Sequence, residues 1–177
     1  MSQGVVPAVK AAVVYKNPTP VVVGLVPVLA FNPATGSKAI GVLTLERGIE
    51  PQKGKLALPG GYLEYEDWRE GLLRELHEET TLNVCSADEV TIQSVHSVDQ
   101  GKKLLLFATT PMVDESTLRD FAPNTEVTRL VVIFSPQLLA FPTHTEAVKI
   151  FFRKLTQPAP QELNRLTLPG GNLCSAE

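Results

Sequence analysis

The segment Arg74-Glu75-Leu76-His77-Glu78-Glu79 concentrates carboxylates at helical spacing. On an α-helix each residue advances by ~100°, so Glu75, Glu78 and Glu79 fall within a roughly 100° arc. Like charges at these spacings destabilise a helix by about 0.2–0.5 kcal/mol per pair, so such a cluster needs a cause. One reading is a solvated acidic face in which Arg74 pairs with Glu78 at i+4. A second reading comes from the residues upstream. Leu58-Pro59-Gly60-Gly61 is a rigid turn whose glycines let backbone approach another group closely, and Glu64 and Glu66 follow it. A glycine turn and several carboxylates converging on one helix flank suit a hard cation such as Mg2+. Such an ion takes oxygen ligands, usually one or two carboxylates together with waters and substrate phosphates.

The spacing is also informative as a whole. Gly60, five residues, Glu66, seven residues, then Arg74-Glu75-Leu76-His77-Glu78-Glu79-Thr80-Thr81-Leu82 resembles the signature of the Nudix hydrolases. Every fixed position matches except the last glycine, where Thr81 stands. A β-branched residue resists the left-handed conformation a terminating glycine adopts, so Asn83 is the expected helix terminator. Family members commonly count from the second glycine of the pair. Here the count runs from Gly60, and the loop to Glu66 is one residue short.

The resemblance implies metal-dependent hydrolysis of the pyrophosphate bond of a nucleoside diphosphate linked to another moiety. ADP-ribose or an NADH-like dinucleotide is the favoured substrate. It implies Mg2+ or Mn2+ held by Glu75, Glu78 and Glu79, with Glu66 and the Gly60 carbonyl in support. Arg74 would orient Glu75 and Glu78, and Glu75 would be a candidate base. Glu126, in the loop Ala122-Pro123-Asn124-Thr125-Glu126, is a further candidate catalytic carboxylate. The alternatives are a house-cleaning nucleoside triphosphate pyrophosphohydrolase and a non-catalytic ligand-binding or regulatory Nudix module. His144 opens the last helix and is read as making local hydrogen bonds. His77 and His96 lack partners at metal-ligand spacing.

Elements must position these groups. Val9 to Tyr15 is a short β-branched run, and Val21 to Phe31 reads as a nearly continuous buried strand with a bulge or edge at Pro27. Asn32 to Gly36 is a hairpin-like loop, Ala39 to Glu46 a strand, and Arg47 to Lys55 a polar loop. The spacing predicts a helix over 67–80, with Asp67 and Glu70 spelling a capping box and Leu72, Leu73 and Leu76 its apolar side, joined by Trp68. Strands follow at Val90–Val98, Lys103–Thr109 and Val127–Phe134. A second helix starts near Thr143 in a Thr143–Glu146 capping box, with Ala147, Ile150, Phe151 and Leu155 as its buried stripe. This order predicts an α/β (α+β) Nudix fold, a mixed β-sheet sandwiched between helices, rather than a doubly wound parallel sheet. A single domain over 1–157 and a Pro- and Gln-containing tail over 158–177 are expected. Leu168-Pro169-Gly170-Gly171 repeats the glycine phrase but has no acidic helix after it.

Bulk properties exclude several classes. The 177 residues suffice for one α/β core. A formal net charge of -3 with no basic block argues against a nucleic-acid polymer as the main partner. The longest apolar run is interrupted by Pro27 and falls short of the ~20 residues a membrane span needs. Two cysteines, Cys85 and Cys174, with no CxxC pair, fit a reducing compartment, so a cytoplasmic protein without a signal peptide is expected. The expected partner is a small nucleotide derivative. Pairing into a homodimer through the apolar N-terminal strands stays open.

Overall fold

The computed structural model describes residues 16–83 and 86–157. The expected strand Val9–Tyr15, both cysteines and the tail 158–177 lie outside the described residues. The Val-rich run is two strands, not one: β1 spans Thr19–Leu25 and β2 spans Pro27–Asn32. Pro27 cannot donate a ladder hydrogen bond, so the run breaks at Val26 and its halves enter different sheets. β2 turns through Asn32–Gly36 into β3, Ser37–Arg47, in antiparallel register with Phe31 opposite Lys38. β3 is the longest strand and pairs with β2, with the short β4 (Leu56–Ala57) and with β8 (Val127–Ile133). The short β7, Val113–Asp114, extends this sheet beside β2.

The smaller sheet has the order β1–β6–β5, with β5 spanning Thr91–Val98 and β6 Lys103–Thr109. β1 and β6 run parallel, and β5 is antiparallel to β6. Residues 59–63 run alongside the other edge of β1: Val22 donates to the Gly61 carbonyl, Gly24 to that of Pro59, and Leu63 to that of Pro20. The glycine turn is thereby tied to the sheet by main-chain bonds.

Strand alternation divides β1 between two cores. Val22 packs with Leu72 and Leu76 of the first helix, α1 (Trp68–Thr80), whereas Val23 and Leu25 pack with Ala147, Val148 and Phe152 of the second, α2 (Pro142–Thr156). One helix therefore lies on each side, and the mixed α+β architecture expected from the sequence is present, resolved into two mixed sheets. Leu72 and Leu76 are wholly buried, and truncating either to Ala would cost about 2–5 kcal/mol.

Both helix starts and one helix end differ from expectation in detail. Asp67 caps α1 by accepting from the Arg69 amide at 2.9 Å; among the described residues no reciprocal bond from Glu70 completes a box. α2 begins earlier than Thr143, with Phe141 as cap residue and Pro142 at its first position, where a missing N–H costs nothing. Its buried stripe is His144, Thr145, Ala147, Val148 and Phe152; Ile150 and Phe151 are half-buried and Leu155 is exposed. At the end of α1, Thr81 and not Asn83 takes the left-handed conformation (φ 61°), and its amide donates to His77. No helix among the described residues is long and apolar enough to cross a membrane.

Candidate active site

α1 is anchored by its leucine face, so its opposite flank turns toward the glycine turn and the loop before β8. Glu75, Glu78 and Glu79 line one cleft of about 230 Å³ with Asn124, Thr125 and Glu126 from that loop. The fold thus gathers the helical carboxylates with Glu126, which lies far from them in sequence.

The glycines fit closely against these groups. Gly60 has φ +140°, a conformation L side chains rarely adopt, and a Cβ there would collide with the Val22 carbonyl. Its amide donates to Glu79 Oε2 at 2.8 Å. A Cβ on Gly61 would stand 2.5 Å from the Glu75 carboxyl group. The turn therefore cradles two carboxylates, Glu79 by a hydrogen bond and Glu75 by leaving room for it.

Arg74 organises the rest. Its Nη2 donates to Glu66 Oε1 at 2.7 Å, its Nη1 to Glu75 Oε1 at 2.9 Å and to Glu78 Oε2 at 3.2 Å, and Nη2 also reaches the Tyr62 carbonyl at 3.1 Å. Charge-assisted bonds of this kind fix carboxylate orientation. The i+4 pairing of Arg74 with Glu78 expected from the sequence is present, as one arm of a wider network. Glu66 is bound to Arg74 and does not line the cleft, so its position is that of a brace behind Glu75.

The electrostatics differ sharply among these groups. Hydrogen bonds from Arg74 hold Glu66 below the usual carboxylate range. Burial pushes Glu75 upward, against the opposing pull of Arg74. Burial pushes Glu79 up to about 8; the Gly60 amide and Arg47 oppose the rise, while Glu75 and Glu126 add to it. Among the described residues no three carboxylate, histidine or cysteine side chains converge as a ready-made ligand set, because Arg74 draws Glu75 and Glu78 to itself and the Gly60 amide holds Glu79. The donor chemistry nonetheless fits a hard divalent cation: oxygen atoms only, two of them on carboxyl groups whose charge burial disfavours.

Two residues shape the site through contacts that the sequence reading did not anticipate. Asn124 Oδ1 accepts from the amides of Glu126 and Val127 at 2.9 and 2.8 Å, and its Nδ2 donates to the Glu78 carbonyl at 3.4 Å. It ties the Glu126 loop to α1; the Asn-Thr-Glu phrase after Pro123 was the local sign of this turn. His144 was expected to bond locally. Instead its Nδ1 accepts from the Leu58 amide at 3.1 Å, 86 residues away, and its ring packs edge-on against Phe107 and Phe141. Burial lowers its pKa to about 4, which keeps it the neutral acceptor this bond needs. It steadies the residue before Pro59-Gly60-Gly61. His77 is exposed, and His96 bonds Ser94 within its strand.

The model of the NUDIX domain matches residues 20–155. The chain belongs to the Nudix family. No protein of curated function matches it significantly in sequence. Among solved structures, a MutT/nudix family protein from Enterococcus faecalis superposes with TM-score 0.62 at 20% identity, over 82% of this chain and 65% of that one, just under two thirds of its length. The NUDIX domain of Shewanella oneidensis NrtR complexed with ADP ribose superposes with TM-score 0.60 at 16% identity, over 80% and 91% of the two chains. A bifunctional NMN adenylyltransferase/ADP ribose pyrophosphatase from Francisella tularensis, complexed with AMP and Mn ion, gives TM-score 0.55 at 18% identity, over 79% of this chain and 42% of that one. At these identities the likeness shows a shared fold.

Proposed function

We propose that this Nudix protein hydrolyses the pyrophosphate bond of a nucleoside diphosphate joined to a second moiety, with ADP-ribose or an NADH-like dinucleotide as the favoured substrate. One observation carries the reading: Glu75, Glu78 and Glu79 of α1 meet Glu126 of a distant loop in one cleft beside a glycine turn. The ADP ribose and AMP named with the two structural neighbours above support the substrate class.

Glu75, Glu78 and Glu79 would hold Mg2+ or Mn2+, with the Gly60 carbonyl as a further oxygen donor. When bound, such an ion neutralises phosphate oxygens and raises the acidity of a water. The chain does the rest. Arg74 keeps Glu75 and Glu78 aimed, and Glu66 braces Arg74. The Gly60 amide holds Glu79 in place. The proton of the attacking water goes to Glu75 or, across the cleft, to Glu126; the pH profiles of kcat for their Gln variants tell the two apart. Deprotonation of Glu79 is favoured by a cation, so metal binding releases a proton near neutral pH. The reading also carries a cytoplasmic location and one domain over 1–157.

The test is phosphate release, with Mg2+, from ADP-ribose, NADH, dinucleoside polyphosphates and nucleoside triphosphates, coupled to a phosphatase where products are monophosphates. Hydrolysis of the diphosphate diesters that vanishes in Glu79→Gln is the expected result. Preferential turnover of triphosphates would replace the substrate class. Nucleotide binding without turnover would replace the enzyme by a sensing module.

A further inference from the structure

Tyr62 follows the glycine pair directly, and the acidic cleft makes no use of its side chain. Its backbone is held twice: it bridges Val21 in antiparallel fashion, and its carbonyl accepts from Arg74, the guanidinium that also binds Glu75. Extended backbone sends successive side chains to opposite faces. Gly61 faces Glu75, so Tyr62 projects to the other side of the same strand. There Lys103 Nζ donates to its hydroxyl at 3.0 Å. The same nitrogen is 5.4 Å from the ring centre, which places it off the hydroxyl end and not over the face. Tyr62 as a whole residue is 53% exposed. A large aromatic side chain, fixed at its backbone and its hydroxyl with a face toward water, has already lost most of its freedom and offers apolar area for contact.

We infer that Tyr62, steadied by Lys103, is the platform on which the substrate's nucleobase stacks, and so a specificity-determining residue. The inference rests on the hydrolase reading and deepens it. The acidic cleft handles only the pyrophosphate, and a platform one residue from the Glu75 cradle lets the same molecule be gripped at its heterocycle. Stacking tolerates any base, since every base has a π face; it selects nucleoside esters over base-free ones without choosing among bases. Lys103 acts as a positioning residue through the phenol oxygen.

The test compares kcat/KM for the nucleotide hydrolysed fastest with kcat/KM for its counterpart lacking the base. The ratio is unaffected by a fraction of inactive protein, so a partly folded variant remains readable. In Tyr62→Ala the ratio falls by about tenfold or more, carried by KM, as the loss of one base–aromatic stack requires. Tyr62→Phe keeps the ratio within about threefold because the ring remains, and Lys103→Met falls between the two while Lys103→Arg restores it. An unchanged ratio in Tyr62→Ala overturns the inference, as does a Tyr62→Phe variant that falls as far as Tyr62→Ala. A wild type that hydrolyses both esters equally well removes this inference and leaves the hydrolase reading standing. A wild type that hydrolyses nothing in the panel removes both.

Discussion

Glu66 and Glu79 belong to the same signature and meet opposite fates. Glu66, on the N-terminal side of α1, receives Arg74 at 2.7 Å, and its charge is balanced inside the chain. Glu79, at the C-terminal end, is 9% exposed and receives the Gly60 amide at 2.8 Å, with Glu75 and Glu126 as neighbours of like charge. One end of the acidic flank is an internal ion pair; the other concentrates carboxyl groups whose ionisation burial and repulsion oppose. The difference teaches where a positive charge would act most strongly: at the Glu79 end, where burial and like charges disfavour ionisation.

Substitutions should separate the two ends. Glu79→Gln is expected to lower kcat by about 10²–10³-fold or more, measured as phosphate release, with the far-UV circular dichroism unchanged. Glu66→Gln is expected to lower it less, by roughly ten- to a hundredfold, because it acts through Arg74. The two should reverse in thermal melts of the metal-free protein: Glu66→Gln lowers Tm by leaving Arg74 without its strongest partner, and Glu79→Gln raises it at alkaline pH. Equal losses of activity with equal shifts in Tm would erase the distinction.

The pH dependence of stability sharpens the contrast. Glu79 stands at about 8 in the fold against an ordinary 4.5. A raised folded pKa means that the fold holds the proton more tightly, so this contribution is full below about pH 4.5 and lost as pH rises through about 8. His144 stands at about 4 against 6.5, so its contribution is present above about pH 6.5 and lost as pH falls through about 4. Between pH 6.5 and 8 the His144 slope is absent and the Glu79 slope persists. Tm of the metal-free protein should fall there by roughly several degrees, and Mg2+ or Glu79→Gln should abolish the fall. The smallest expected effect is at the helix end. Thr81→Gly relieves a β-branched residue at φ 61° and should raise stability by about 1 kcal/mol in urea unfolding with kcat unchanged.

What was legible in the sequence was local. The arc of Glu75, Glu78 and Glu79, the Arg74–Glu78 pairing and the Leu72–Leu76 anchor all follow from helical periodicity, and all are present. What was not legible depends on contacts between distant segments. Nothing near His144 announces that it accepts from Leu58, and nothing near Asn124 announces its bond to the Glu78 carbonyl. The break of the Val-rich run at Val26 needed the knowledge that its halves serve separate sheets. Thr81 was passed over as a terminator on intrinsic preference, yet it occupies the left-handed position the signature gives to glycine, showing chain geometry overriding propensity.

The most direct measurement is Mn2+ binding by electron paramagnetic resonance near pH 7.5, on the wild type, Glu79→Gln and Glu66→Gln. If the Glu79 end is the metal site, the wild type quenches the free Mn2+ signal, Glu66→Gln does so with moderately weaker affinity, and Glu79→Gln loses most of the binding. Equal binding by the wild type and Glu79→Gln would contradict the assignment of the acidic cleft as a metal centre.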